Sequence, residues 1–329
     1  MSIKKVRRCG VTVCIAAICE GNTVFGASDR MLTSGDIEFE PLQEKIYQMT
    51  TSIAIMLAGD SALQSEILQK VRLDVYERIQ HDPQNWWAVE DVAALYSRFY
   101  SEAKLKRSEA AILNPLGLNR GTFIERQQQM AASLVSQLAQ QMINFEIPKV
   151  EAIITGIDST GAHIYVVEDG DASCADSVGF ASIGAGRWHA NTQFMFAGHT
   201  RSSLGPRTLL LVFSAKRRAE VAPGVGEGTD MFMVPYLGRY TPIGTHVLKE
   251  LDKAYKGNQR GINRSSRKAE KGFANYLDQL APAQASPEQK ASRTTEQPPE
   301  AGAVSSGSEQ KDKPEQEGQG NQTASSGPG

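Results

Sequence analysis

Residues 12–30 read TVCIAAICEGNTVFGASDR. Two apolar, β-favouring runs, Thr12–Cys19 and Thr23–Ser28, flank Glu20-Gly21-Asn22. Gly21 and Asn22 tolerate positive φ, so the stretch predicts an antiparallel hairpin. A rival reading comes from KKVRR at Lys4–Arg8, because a basic segment before a short apolar run is also the pattern of a secretory signal. The run stops at Glu20 and a second apolar run follows at once, which favours the hairpin.

Downstream, EKIYQM (44–49) and SIAIMLAG (52–59) predict a second strand pair, divided by Thr50-Thr51. From Ser61 the period changes. Leu63, Ile67, Leu68, Val71, Val75 and Ile79 recur at helical spacing, which predicts an amphipathic helix capped near Asp60 or Ser61 and closed by His81-Asp82-Pro83. Further helices are expected over about 89–112 and 122–143, with NPLGLNRG (114–121) as a loop. Strands return at 150–158, 162–169 and 178–184. Helices follow at about 187–197 and from near Ser203, and TDMFMVP (229–235) is a last strand. Strand blocks separated and followed by helices predict a layered α+β domain.

Residues 256–280 are basic and predict a terminal helix with Phe273, Tyr276 and Leu280 as anchors. No aromatic residue, Leu or Ile occurs beyond Leu280, so 281–329 reads as a disordered low-complexity tail.

The chain of 329 residues is 40% hydrophobic with a formal net charge of -2. It is large enough to bury a core, and its charge carries no signature of nucleic acid or a membrane surface. Cys9, Cys14, Cys19 and Cys174 form no disulfide framework and read as reduced thiols of a cytoplasmic protein. The five histidines lack zinc-ligand spacing, so no metal is expected. GAGRWHA (184–190) lacks the Lys-Ser/Thr ending of a phosphate loop, so no nucleotide cofactor is expected. Lys216–Arg218 reads as a solvated helix face, and Asn85–Trp87 as a loop anchor.

TVCIAAICEGNTVFGASDR, EKIYQMTTSIAIMLAGD (44–60) and EAIITGIDSTGAHIYVVEDGDASCADSVGFASIGAG (151–186) together resemble proteasome β-type subunits, with the bacterial Anbu group closest. The resemblance spans about Thr12–Val234 and is interrupted by extra helical material near 106–145. It implies an N-terminal-nucleophile hydrolase fold: a four-layer αββα sandwich of two antiparallel sheets, occupying about 12–255. By resemblance Thr12 is the nucleophile, Asp29 and Lys45 its partners, and the Gly59 N–H the oxyanion donor. Leu32, Gln43 and Leu57 fall where the family builds its side-chain pocket, which implies an apolar preference. Asp29 lies 17 residues beyond Thr12. That is one more than the family's usual spacing, and the turn near Glu20–Thr23 is placed as the insertion. The implied activity is peptide-bond hydrolysis in a self-assembled ring or helical stack. Its substrates would be peptides or unfolded proteins, with an ATP-dependent unfoldase as a candidate partner.

The chemistry is coherent. A threonine hydroxyl needs a base, and an N-terminal threonine carries one, its α-amine, with a pKa of about 7.7–8. A lysine beside the hydroxyl favours developing alkoxide, and an aspartate orients that lysine. Two departures stand out. Gly184-Ala185-Gly186 lacks the serine that the family places between two glycines to support the amine. Glu220-Val221-Ala222-Pro223-Gly224 keeps the acid of a later element but has proline in place of its serine. Gly184, Ala185 and Glu220 are therefore the supporting positions, weakened at Ala185. Ala185 and Pro223 favour a second reading, a non-catalytic structural subunit, which the intact Thr12, Asp29 and Lys45 set opposes; a third is an amidohydrolase of small amides.

Residues 1–11 would block the amine of Thr12. Self-cleavage after Val11 is one route, although the family's scissile residue is glycine. The other is that Val11 reflects a GTG initiation codon, with methionine removal leaving Thr12 first. Cys9 as the nucleophile lies three residues too early for Asp29 and Lys45.

Overall fold

The computed structural model describes residues 12–34, 37–40, 45–83 and 86–280. The expected hairpin is present as β1 (Cys14–Cys19) and β2 (Thr23–Asp29), antiparallel with Cys19 opposite Thr23. Its turn differs in detail: positive φ falls on Glu20 (51°) and Gly21 (73°), not on Asn22. The Asn22 N–H donates to the Cys19 carbonyl at 3.2 Å, so Glu20 and Gly21 are the two central residues of the turn.

A small separate ribbon pairs β3 (Leu32–Ser34) with β4 (Ile37–Phe39). The other strands are β5 (Ile46–Gln48), β6 (Ile53–Gly59), β7 (Val150–Asp158), β8 (Gly161–Glu168), β9 (Asp171–Cys174), β10 (Phe180–Ile183), β11 (Thr229–Val234) and β12 (Thr241–Pro242). They form two five-stranded antiparallel sheets, ordered β10-β1-β2-β11-β12 and β5-β6-β7-β8-β9. β9 escapes the sequence because all four of its residues are exposed and no apolar alternation marks it.

The main helices are α1 (Ser61–His81) and α2 (Val89–Ser108). Asp60 caps α1 by accepting from the Leu63 N–H at 2.8 Å. The single helix expected over 122–143 is instead two, α3 (Arg120–Arg126) and α4 (Ala132–Ile143), separated by extended backbone at Met130 and Ala131. The break lets the segment fold back on itself, so that Leu113, Leu118 and Leu138 bury one another. α5 (Arg187–Phe196) and α6 (Gly205–Ala219) follow β10.

The last helix, α7 (Thr245–Leu280), starts earlier than expected. Through Asn263 it belongs to the main body, where Leu251 is buried and Val247, Leu248 and Tyr255 pack against the core. Residues 264–280 belong to a second unit, in which Phe273, Tyr276 and Leu280 are exposed rather than anchoring. The eleven-residue N-terminal extension and the expected tail lie outside the described residues.

Three buried clusters give the layer order. Cys14, Ala16 and Ile18 of β1 meet Met56 and Ala58 of β6 and Ile153 and Ile157 of β7, between the sheets. Val13 just before β1 and the alternate β1 residues Ile15, Ala17 and Cys19 face Phe194 of α5 and Val212 and Phe213 of α6. On the other sheet Ile53, Ile55 and Leu57 face Leu63, Ile67 and Val71 of α1 and Tyr96 of α2. The layers run helix, sheet, sheet, helix. β1 is buried on both faces, so it reads as an unbroken apolar run. Among the described residues, no helix is long and apolar enough to cross a membrane.

Candidate functional site

Antiparallel pairing of β1 and β2 sets Thr12 beside Asp29. The Asp29 N–H donates to the Val13 carbonyl at 3.2 Å, and the Val13 N–H donates to Asp29 Oδ1 at 2.9 Å. Lys45 arrives from the other sheet. It precedes β5, and its carbonyl accepts from the Leu57 N–H of β6 at 3.2 Å. Cys14 of β1 donates to the Leu57 carbonyl at 3.4 Å, which ties the two sheets together next to the site.

Thr12, Asp29 and Lys45 converge and are 1%, 0% and 7% exposed. Thr12 Oγ1 donates to Asp29 Oδ1 and accepts from Lys45 Nζ. Lys45 Nζ also reaches Asp29 Oδ1, at 2.9 Å, and the Met31 carbonyl. Asp29 Oδ2 accepts from the Met31 N–H at 3.0 Å and the Gly226 N–H at 3.2 Å. A carboxylate this deep requires such partners, because a buried charge without them is costly. The hydroxyl therefore sits between a cation facing its oxygen and a carboxylate taking its hydrogen.

Gly184 and Gly186 back this centre. Gly184 has φ of +85°, and a β-carbon there would lie 2.4 Å from the Thr12 carbonyl oxygen. The Gly186 N–H donates to that oxygen at 3.2 Å. Gly59 ends β6 with φ of +113°, and a β-carbon there would meet the Lys149 carbonyl at 2.3 Å. Glycine is demanded at 59 by both its conformation and the nearness of β7. Leu57 is buried among the core residues under α1; Gln43 and the side chain of Leu32 lie outside the described residues.

Two charged residues were not foreseen. Glu151, 4% exposed in β7, accepts from the Gly184 N–H at 2.8 Å and from Lys149 Nζ at 3.0 Å. Arg187 Nη1 lies 3.4 Å from it. Its one sequence signal is a carboxylate near the start of a mostly apolar strand. The second is Lys216, and here the solvated-face reading of Lys216–Arg218 is overturned for that residue. Lys216 is fully buried, because its position one turn beyond Val212 puts it on the face that α6 turns toward the sheet. Its Nζ donates to Glu220 Oε1 at 2.6 Å and to the carbonyls of Gly226 and Glu227 at 2.9 and 2.7 Å. Burial pushes its pKa below the usual lysine value despite the opposing pull of Glu220. Glu220 accepts from Lys216 and from Arg217 Nη1 at 3.1 Å, and these, rather than Thr12, are its partners. Ala185 supplies no hydroxyl.

Burial raises the Cys14 thiol far above its usual range, against the lowering effect of Lys45, so it is no competing nucleophile. Trp87 is buried against α1 and α2, and Trp86 Nε1 donates to Ser52 Oγ at 3.0 Å, so both tryptophans anchor their loop. Among the described residues, no group of three or more His, Cys, Asp or Glu side chains could hold a metal ion. No family model matches the chain, and no curated protein matches it significantly.

Proposed function

We propose that this chain is a cytoplasmic threonine peptidase of proteasome type, built on the N-terminal-nucleophile αββα sandwich and active in a self-assembled ring or stack. The observation that carries the reading is the convergence of Thr12, Asp29 and Lys45, contributed by two sheets, into one buried hydrogen-bonded group.

In the chain as written, the Thr12 nitrogen is a peptide nitrogen and no base. Once Thr12 is first, its amine takes the Oγ1 proton, directly or through a water, as the oxygen attacks a peptide carbonyl carbon. The Lys45 charge favours the forming alkoxide, and Asp29 holds Lys45 in place. The Gly59 N–H is assigned to the tetrahedral oxyanion. The proton passes to the departing amine as the C–N bond breaks, leaving an ester on Thr12 that water hydrolyses. Peptides or unfolded proteins are the substrates in this reading, with an unfoldase as a candidate feeder.

A chain beginning at Thr12 should cleave apolar fluorogenic peptides, and its Thr12→Ala variant should not. Turnover of small amides without peptides would favour an amidohydrolase. Inertness toward both would favour a structural subunit, the reading to which Ala185 and Pro223 lend support.

A further inference from the structure

Lys216 is fully buried, and the chemistry above leaves it without a role. Three of the five residues in the loop it grips, Gly224-Val225-Gly226-Glu227-Gly228, are glycine, so the loop has little conformational preference of its own. Lys216 Nζ fixes it by donating to two successive carbonyls, at 2.9 and 2.7 Å. The same Gly226 that accepts from Lys216 donates its N–H to Asp29 Oδ2 at 3.2 Å. Gly226 is thus one peptide unit away from both groups: its carbonyl is held by α6, and its amide holds the carboxylate on which Thr12 and Lys45 converge.

We infer that Lys216 is a positioning residue for the Thr12 centre, with Glu220 as its counter-ion, acting through Gly226 to orient Asp29. The functional half of this inference rests on the reading of Thr12 as the nucleophile; the positional half does not. Without the ammonium, the Gly226 and Glu227 carbonyls lose their donor. The Gly226 carbonyl is buried, and a buried acceptor left so is costly, so the loop shifts toward other partners. The Gly226 amide then leaves Asp29, and the carboxylate keeps Oδ1 committed while Oδ2 retains only the Met31 N–H. Glu220 supports this arrangement from a distance, which gives its carboxylate a purpose other than contact with the threonine amine.

A lone Lys216→Met change leaves Glu220 with Arg217 in place of two cations and is expected to weaken the fold. The decisive variant is Lys216→Met with Glu220→Gln, which removes both charges of the pair and keeps side-chain volume. In the full chain labelled at glycine nitrogens, NMR should show the Gly226 amide exchanging about ten-fold or more faster than in wild type, the loss of one bond to a charged acceptor. Melting should fall less than in Lys216→Met alone, with unfolding still cooperative. With the Thr12-first chain and a peptide epoxyketone, the inactivation rate constant should drop about ten-fold while the inhibitor's binding constant holds. Unchanged Gly226 exchange in the double variant overturns the inference, as does faster exchange with unchanged inactivation. If wild type takes no label at all, the nucleophile reading fails, and the exchange measurement still decides whether Lys216 places the loop.

Discussion

Gly184 and Thr12 are in such close contact that a β-carbon on the glycine would stand 2.4 Å from the threonine's carbonyl oxygen and 2.9 Å from its Cγ2. Gly184 also has φ of +85°, where a side chain is strained whatever the space. Gly184→Ala should therefore both destabilise the protein, by about 1–3 kcal/mol in urea unfolding, and displace Thr12. Activity of the Thr12-first form should fall further than stability. A variant that unfolds like wild type and cleaves peptides at the same rate would show that the contact does not constrain the nucleophile.

Lys45→Met leaves Asp29 buried with backbone donors and the Thr12 hydroxyl, but no cation. Removing one partner of a buried pair destabilises by about 3–5 kcal/mol, and removing a donor from the developing alkoxide slows acylation by about a hundred-fold or more. Stability measured by denaturant and acylation measured by burst kinetics report these separately. Retention of both would assign the lysine to bystander status.

His199 provides a pH test away from the site. Burial lowers its pKa below 6.5, over the opposing hydrogen bonds to the carbonyls of Ile18 and Gly179, with Arg207 adding to the lowering. Its Nε2 lies 3.0 Å from the Ile18 carbonyl, and its ring meets Phe194 edge-on at 5.3 Å. The folded state thus binds the proton less readily than the unfolded chain. Stability is fully present above pH 6.5 and declines as pH falls from there through the folded value. His199→Gln keeps a donor for Ile18 and should flatten that decline in melting temperature; an equally steep decline in the variant would mean another group is responsible.

Much of the scaffold was legible because it follows local rules. The β1–β2 hairpin is marked by its Glu20-Gly21-Asn22 turn, the start of α1 by Asp60, and β7 by the largely apolar run at 150–158. The trio of Thr12, Asp29 and Lys45 was named from a likeness to a family, and the register of β1 on β2 shows how the first two meet. Lys216 was misjudged because a Lys-Arg-Arg run on a helix is ordinarily solvated. Its fate depends on Gly226 and Glu227, carbonyls brought to it by the tertiary path of the loop. Glu151 was hidden likewise: nothing near it in sequence announces the Gly184 amide 33 residues on. Strand β9 has no buried face to generate a pattern, and the split between α3 and α4 answers a three-leucine cluster that helical periodicity does not reveal.

The proposed activity requires that the Thr12 hydroxyl become a nucleophile when its own nitrogen is freed. The most direct measurement treats two forms with the same peptide epoxyketone, the 329-residue chain and the chain beginning at Thr12, and locates any added mass by peptide mapping. One whole inhibitor mass is expected on Thr12 of the second form, none on the first, and none after Thr12→Ala. Absence of an adduct on a folded Thr12-first chain, or an equal adduct on both forms, would contradict the proposed activity.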